Sequence, residues 1–291
     1  MEIVYHLGVH CTDEDALLRS LRRNAESLAS EGVVVPDPAR FRPVLREALI
    51  NLRGSPASAE MQATMLDAVT DEDGTERVIF SNENFFCAPA RAITGGRLYP
   101  MAGARAGWLR NLFPDAEIEF FISLRNPATL LPALSDRVHD ADFNAWLKAG
   151  NYDDLRWSDV INALREGAPN AALTVWCNED APMIWPELVD RLALVGDGTS
   201  LKGRFDILSG LMKPGGVERL ESYLASHPVR NAAQRTRIIS AFLDKFVRPG
   251  AVEMEIDLKG WDENLVARLT DDYERDVDLI RNMDGVTFVA P

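Results

Sequence analysis

Cysteine is scarce, and what there is does not pair. Cys11, Cys87 and Cys177 are three in number and widely spaced, which argues against a disulfide framework and offers no C-x-x-C redox or zinc motif. Histidine is hardly commoner at four, and His139 and His227 stand alone with no partner at metal-ligand spacing. No apolar run approaches the roughly 20 residues that a membrane-spanning helix needs. Basic residues are in deficit, 31 Lys and Arg against 45 Asp and Glu, for a net charge of -14 at pH 7. That balance disfavours nucleic acid and anionic membrane surfaces as partners, since both are held through Lys and Arg. It leaves room for a local basic pocket around an anionic small molecule. The chain opens on an acidic residue and a strand pattern rather than a signal peptide, so the expected compartment is the cytoplasm. Nothing in the pattern speaks to oligomeric state. Internal repeats and low-complexity tracts are also missing.

What is there suits a globular α/β protein. The 291 residues are 46% hydrophobic and 26% charged, enough for a sizeable core. Short β-rich runs recur at Glu2–Gly8, Val33–Val35, Arg77–Phe80, Glu117–Leu124 and Ala171–Trp176, with a final edge strand at Val286–Val289. Helical patterns fall between them: from Thr12 to Leu28, over 37–53, 60–69, 99–113 and 127–139, short pieces at 141–149 and 157–166, and 185–194. Two more span 216–247 and 261–282. An acidic turn is expected at 70–74 and loops at 87–97 and 195–204. Strands alternating with helices predict a three-layer α/β fold, a mostly parallel central sheet covered by helices on both faces. The expected organisation is a single domain over 1–291, helical and loop-rich from about 195.

The first strand–turn–helix unit is where such a fold usually binds phosphate, by backbone N–H groups and a helix N-terminus. Gly8 stands in the turn, but Cys11, Thr12, Asp13, Glu14 and Asp15 follow it. Thr12 has the character of an N-cap, with Asp15 completing a capping-box-like pattern. Three carboxylates favour the helix dipole themselves, and within about 5 Å they would repel a phosphate by a few kcal/mol at intermediate dielectric. The same carboxylates could instead hold a divalent cation, although their spacing is not that of an EF-hand loop. Cys11 at a helix start has thiolate character in principle, which the adjacent carboxylates oppose. The six tryptophans are scattered along the chain, as for packing roles.

The string YHLGVHCTDEDALLRSLRRNAESLASEGVVVP resembles the start of bacterial sulfotransferase-family proteins, a strand followed by H-x-G-x-H-K-T-G-T-T and a helix ending L-x-x-x-G-V-x-Y-P. His6, Gly8, His10 and Thr12 match the motif, and Leu28, Gly32, Val33 and Pro36 match the downstream frame. The family's lysine position is Cys11, and its G-T-T is Asp13, Glu14, Asp15. FFISLRNPATLLPAL resembles a second family stretch, matching at Arg125, Asn126 and Pro127, with Ala133 at the serine position. VIFSNENFF resembles the strand that ends in S-x-E, and YERDVDLIRNMDGV resembles the last helix.

The resemblance implies a P-loop nucleoside triphosphate hydrolase-like fold of sulfotransferase type. It implies a donor, 3′-phosphoadenosine 5′-phosphosulfate, held by Gly8, Cys11, Thr12 and Arg125, with Arg204 (beside Lys202 and Lys213) from a late basic loop. A small-molecule hydroxyl or amine would be the acceptor, and Glu83 or His10 the base. Three readings stand open: a divergent sulfotransferase-like protein with weak or lost donor binding, an active enzyme using a non-standard cation, and a cation-binding protein using the acidic turn.

Overall fold

In the computed structural model, the structure describes residues 1–71, 74–194, 201–252, 256, 258 and 260–291. The strands are β1 (Glu2–Gly8), β2 (Val33–Val34), β3 (Arg77–Ser81), β4 (Ile93–Thr94), β5 (Arg97–Leu98), β6 (Glu117–Leu124), β7 (Ala172–Cys177) and β8 (Val286–Val289). Six of them form one sheet in the order β2-β3-β1-β6-β7-β8, and every pairing in it is parallel. β4 and β5 make a separate two-stranded antiparallel hairpin at the end of the expected 87–97 loop, reaching Leu98. The apolar runs of β1, β3 and β6 are what strands buried on both faces require.

The helices are α1 (Ala16–Arg22), α2 (Ala25–Ala29), α3 (Pro38–Leu52), α4 (Ala59–Val69), α5 (Ala102–Leu112), α6 (Pro127–Arg137), α7 (Ala141–Ala149), α8 (Trp157–Gly167), α9 (Ala181–Ala193), α10 (Asp206–Leu211), α11 (Gly216–Ser226), α12 (Ala232–Phe246) and α13 (Glu263–Arg281). Alternate residues of β1 face different layers. Ile3, Tyr5 and Leu7 join a core with Phe41, Leu109, Leu131, Trp157 and Val277, from α3, α5, α6, α8 and α13. Val4 joins Ile79, Phe121 and Trp176 under α1 and α9. The three-layer expectation therefore holds. Leu208, Met212, Leu220 and Ile239 form a third, small core from α10, the residue that follows it, α11 and α12. No helix among the described residues is long and apolar enough to cross a membrane.

Several boundaries differ from expectation, each for a local reason. The first helix begins at Ala16, not Thr12: the Thr12 hydroxyl donates to Val9 O at 2.7 Å, and Asp13 Oδ2 accepts from Leu17 N at 2.9 Å. The helix then breaks at Arg23–Asn24, because the Asn24 amide clamps residue 202 through both its backbone N–H and its carbonyl. The stretch 216–247 is two helices. Pro228 lies in the break, and the Asn231 side chain accepts from Gln234 N to start α12. α9 starts four residues before the expected Trp185. Of the expected acidic turn and late loop, positions 72–73 and 195–200 lie outside the described residues.

Arg77, at 3% side-chain exposure, is ion-paired with Glu2 of β1 and with Glu119 of β6, and its Nε donates to Leu192 O of α9. It ties three strands together at the edge where they begin. Opposite, α5 and α8 cross almost backbone to backbone. A Cβ on Gly103 would lie 2.7 Å from Ala163 O, and one on Gly167 only 2.0 Å from Gly103 O.

Two glycines inside helices make a test with opposite signs. Gly→Ala ordinarily stabilises a helix interior by about 0.5–1 kcal/mol. Gly210→Ala in α10, where an added Cβ meets nothing within 4 Å, is expected to follow that rule in urea unfolding. Gly103→Ala is expected to reverse it and cost about 1–3 kcal/mol by forcing α5 from α8. A stabilised Gly103→Ala protein would refute the backbone contact.

Candidate functional site

In open parallel sheets ligands bind beyond the carboxyl ends of the strands, where successive crossovers leave in opposite directions. Here the chain leaves β1 toward β2 and leaves β6 toward β7, so the crevice lies between β1 and β6. The register between them slips after His6, so that Gly8 faces Ile122. Gly8 is required at the mouth: its φ is +69°, and a Cβ there would stand 2.9 Å from Glu83 Cα. The following backbone is bent for a purpose. Val9, Cys11, Glu14 and Asp15 all have positive φ, at 141°, 60°, 49° and 63°. Such conformations cost on the order of 1–3 kcal/mol each and persist where surrounding contacts over-determine them.

Those contacts can be named. Arg125, at the end of β6, donates from Nη1 to the Cys11 carbonyl and from Nε to Thr129 Oγ1 at 3.1 Å. Arg137, at the end of α6, grips Glu83 bidentately at 2.6 and 3.1 Å and reaches Cys11 Sγ at 3.7 Å. Asp15 accepts from Arg42 Nη2 at 2.6 Å, and the Glu14 carbonyl accepts from Arg19. Asn126 accepts from Ala128 N to cap α6, its own N–H donates to Glu179, and its amide donates to Thr270 of α13.

His10 is buried behind the turn and stacked on Tyr99, which stacks in turn on Trp157. The Tyr99 hydroxyl accepts from His10 N–H at 3.2 Å and meets Nδ1 at 3.0 Å, while Nε2 meets Asn84 Oδ1 at 3.3 Å. A neutral ring with its proton on Nε2 satisfies the whole set: Tyr99 donates to Nδ1, and Nε2–H donates to Asn84. Burial pushes His10 below the usual histidine range, against the Asn84 bond and the Glu83 charge. His6, which meets Ser81 Oγ at 2.8 Å, is pushed down by burial as well, against Asp13 and Asp15. Burial raises the Cys11 thiol despite Arg137 and Arg125 beside it. Burial likewise depresses Arg125.

The structure thus brings Gly8, His10, Cys11, Thr12, Glu83 and Arg125 to one corner. Each is engaged within the chain. His10 has no free ring nitrogen for an acceptor's proton, and both Glu83 oxygens face Arg137. Arg204 is elsewhere: its guanidinium pairs with Asp190 of α9, where Arg235 also approaches at 3.7 Å. Lys202 is held by Asn24 through its backbone. Asp13 acts as a helix cap and Asp15 as an ion-pair partner, and no group of three or more His, Cys, Asp or Glu among the described residues could hold a metal ion.

Sequence reasoning missed Arg137, Tyr99, Asn84 and Asp276. Arg137 is thirteen residues past the end of β6, and only the length of α6 returns it to the turn. Asp276, 3% exposed on α13, accepts from Trp157 N at 2.6 Å and Ser158 N at 3.0 Å, capping α8 from a distance. Tyr273, three residues earlier, donates to Glu179 at 3.0 Å. An acid on the apolar face of an otherwise amphipathic helix was the available signal. No family model, curated protein or solved structure matches this chain.

Two buried neutral histidines set a pH dependence. Their folded-state pKa values lie below the unfolded value near 6.5, so the unfolded chain binds protons first as pH falls. Their contribution is intact above about 6.5 and is lost progressively below it, by at most about 1.4 kcal/mol per pH unit for each. Unfolding free energy measured from pH 7 to 5.5 is expected to fall, and His10→Gln is expected to flatten that slope. An unchanged slope would mean that His10 titrates equally in both states.

Proposed function

We propose that this chain is a sulfotransferase-like α/β protein of P-loop type whose donor corner binds 3′-phosphoadenosine 5′-phosphosulfate weakly or not at all. The observation that carries the reading is the Arg125–Cys11 bond. The cation that would hold the donor's 3′-phosphate is turned onto the carbonyl of Cys11, the position of the family's loop lysine. The rest of the corner supports it. Thr12, Asp13 and Asp15 satisfy Val9, α1 and Arg42, which closes inward the groups that an anion site would present outward. The sheet order, with β1 at its middle and the first turn at its crevice, keeps the frame of such a site.

One observation favours a second reading, an active sulfotransferase using a non-standard cation. Arg137 stands 3.7 Å from Cys11 Sγ, so a permanent positive charge borders the turn although the loop lacks its lysine. Sulfuryl transfer, like phosphoryl transfer, depends mainly on positioning and on charge stabilisation. In that reading Arg137 would release Glu83 as substrate enters, freeing a carboxylate for the acceptor's proton. Both readings are alike in taking a small-molecule hydroxyl or amine as the acceptor class.

Thermal denaturation with 3′-phosphoadenosine 5′-phosphate separates them. A site with Kd about 1 µM adds about 2.7 kcal/mol at 0.1 mM ligand, a shift of several degrees in Tm. The expected shift is within error. A clear rise would overturn weak binding in favour of the active enzyme. Substituting Cys11→Lys, Asp13→Gly, Glu14→Thr and Asp15→Thr together is expected to restore nucleotide binding while lowering stability by about 1–2 kcal/mol, through loss of the α1 cap and the Arg42 pair.

A further inference from the structure

A second concavity opens between α3 and the loop that follows β3, with α5 along one side. It has a volume of about 760 Å³. Leu45, Leu49 and Phe85 form its apolar floor, and Arg42, Arg46 and Arg105 line its walls. No aspartate or glutamate is among its lining residues. In a chain with a net charge of -14, three guanidinium groups converging on one cleft reverse the local field.

These arginines are only partly satisfied within the chain. Arg42 donates to Asp15 and to Ser81 O, yet its Nε is buried with no partner. Arg105 lies over the Trp108 ring at 4.7 Å, and its Nε is also buried and unpartnered. No carboxylate among the described residues pairs with Arg105 or Arg46. Glu83, between the cleft-lining Asn82 and Asn84, is itself paired with Arg137. Cys87 on the cleft wall adds no negative charge, since burial pushes its thiol up to about 12 against the pull of Arg105 and Arg91. Guanidinium groups remain charged at any accessible pH and present a planar fork suited to carboxylate or phosphate oxygens.

We propose that this cleft binds an organic anion, with a carboxylate, phosphate or sulfate group between Arg42, Arg46 and Arg105 and an apolar body on Leu45, Leu49 and Phe85. The volume is that of an ordinary small-molecule site, apolar with a few placed charges. Asn84 links the cleft to the first turn, because it lines the cleft and meets His10 Nε2. The inference is separate from donor binding, since Arg46 and Arg105 take no part in the corner held by Arg125 and Arg137, and Arg42 meets it only through Asp15.

Isothermal calorimetry on the full chain tests it with 1-naphthyl phosphate and 1-naphthoate as probes. The two arms separate a tetrahedral from a planar anion. At least one is expected to bind with Kd in the range of about 10–100 µM. Neutral 1-naphthol and inorganic phosphate are expected to bind at least about tenfold more weakly, because each lacks one half of the recognition. Arg105→Gln is expected to weaken binding about tenfold or more. Arg46→Gln alters an exposed side chain that folding does not need and is expected to weaken it by a smaller factor. Binding should persist in excess 3′-phosphoadenosine 5′-phosphate. Silence from both aryl anions, full affinity in the Arg46→Gln and Arg105→Gln proteins, or displacement by the nucleotide would each overturn the proposal.

Discussion

The sheet is gathered at one edge by a buried guanidinium. Arg77 sits where β1, β3 and β6 begin, between Glu2 and Glu119, with α9 carbonyls completing its shell. Glu119 also accepts from Thr174 of β7, which extends the tie to a fourth strand. A charge buried this deeply is tolerable only when it is fully paired, so the register of these strands is fixed at their starting edge. Because all the strands run parallel, fixing the starts fixes the ends as well. The corner built from the first turn, Glu83, Arg125 and Glu179 inherits its positions from that distant ion cluster.

At the corner itself the governing feature is internal satisfaction. Positive φ values run through Val9, Cys11, Glu14 and Asp15, and they hold because the neighbouring polar groups are engaged with one another. Arg125 restrains the Cys11 carbonyl, Thr12 the Val9 carbonyl, Asp13 the start of α1, and Arg42 the Asp15 carboxylate. A phosphate cradle needs the opposite arrangement, with donors directed outward and waiting. The contrast with the arginine-lined cleft beside α3 is physical: there, guanidinium nitrogens lack partners within the chain. If the protein handles an anion, charge complementarity favours the cleft over the turn.

The strands were legible in the sequence because buried parallel strands read as short apolar runs, and the layers followed from their alternation with helices. The starts of α6 at Asn126-Pro127 and of α3 at Asp37 rest on local capping chemistry, and both lie within a residue of the expected bounds. Boundaries failed where a side chain reached outside its own segment: Asn24 breaks a helix to hold residue 202, and Asp13 takes the capping role that Thr12 was expected to fill. The site was half legible. Gly8, Cys11, Glu83 and Arg125 come together as their positions at strand ends imply. Arg137 and Asn84 could not be read locally, because what they do depends on where another element ends, and Asp276 showed only as an acid on an apolar helix face. Arg204 was expected, by resemblance alone, to reach the donor from a late loop, and its guanidinium pairs with Asp190 of α9.

The sheet order carries a kinetic consequence. β1 stands at the centre, yet it precedes both of its neighbours in the chain. β3 begins at residue 77 and β6 at residue 117, so both pairings close long loops before they gain any contact energy. During synthesis the central strand of the sheet is also the one that waits longest for company. Assembly of this kind is slow and leaves an unpaired hydrophobic ribbon open to other chains. The growing chain therefore carries β1 without a sheet partner until β3 has emerged, and with one side still open until β6 follows.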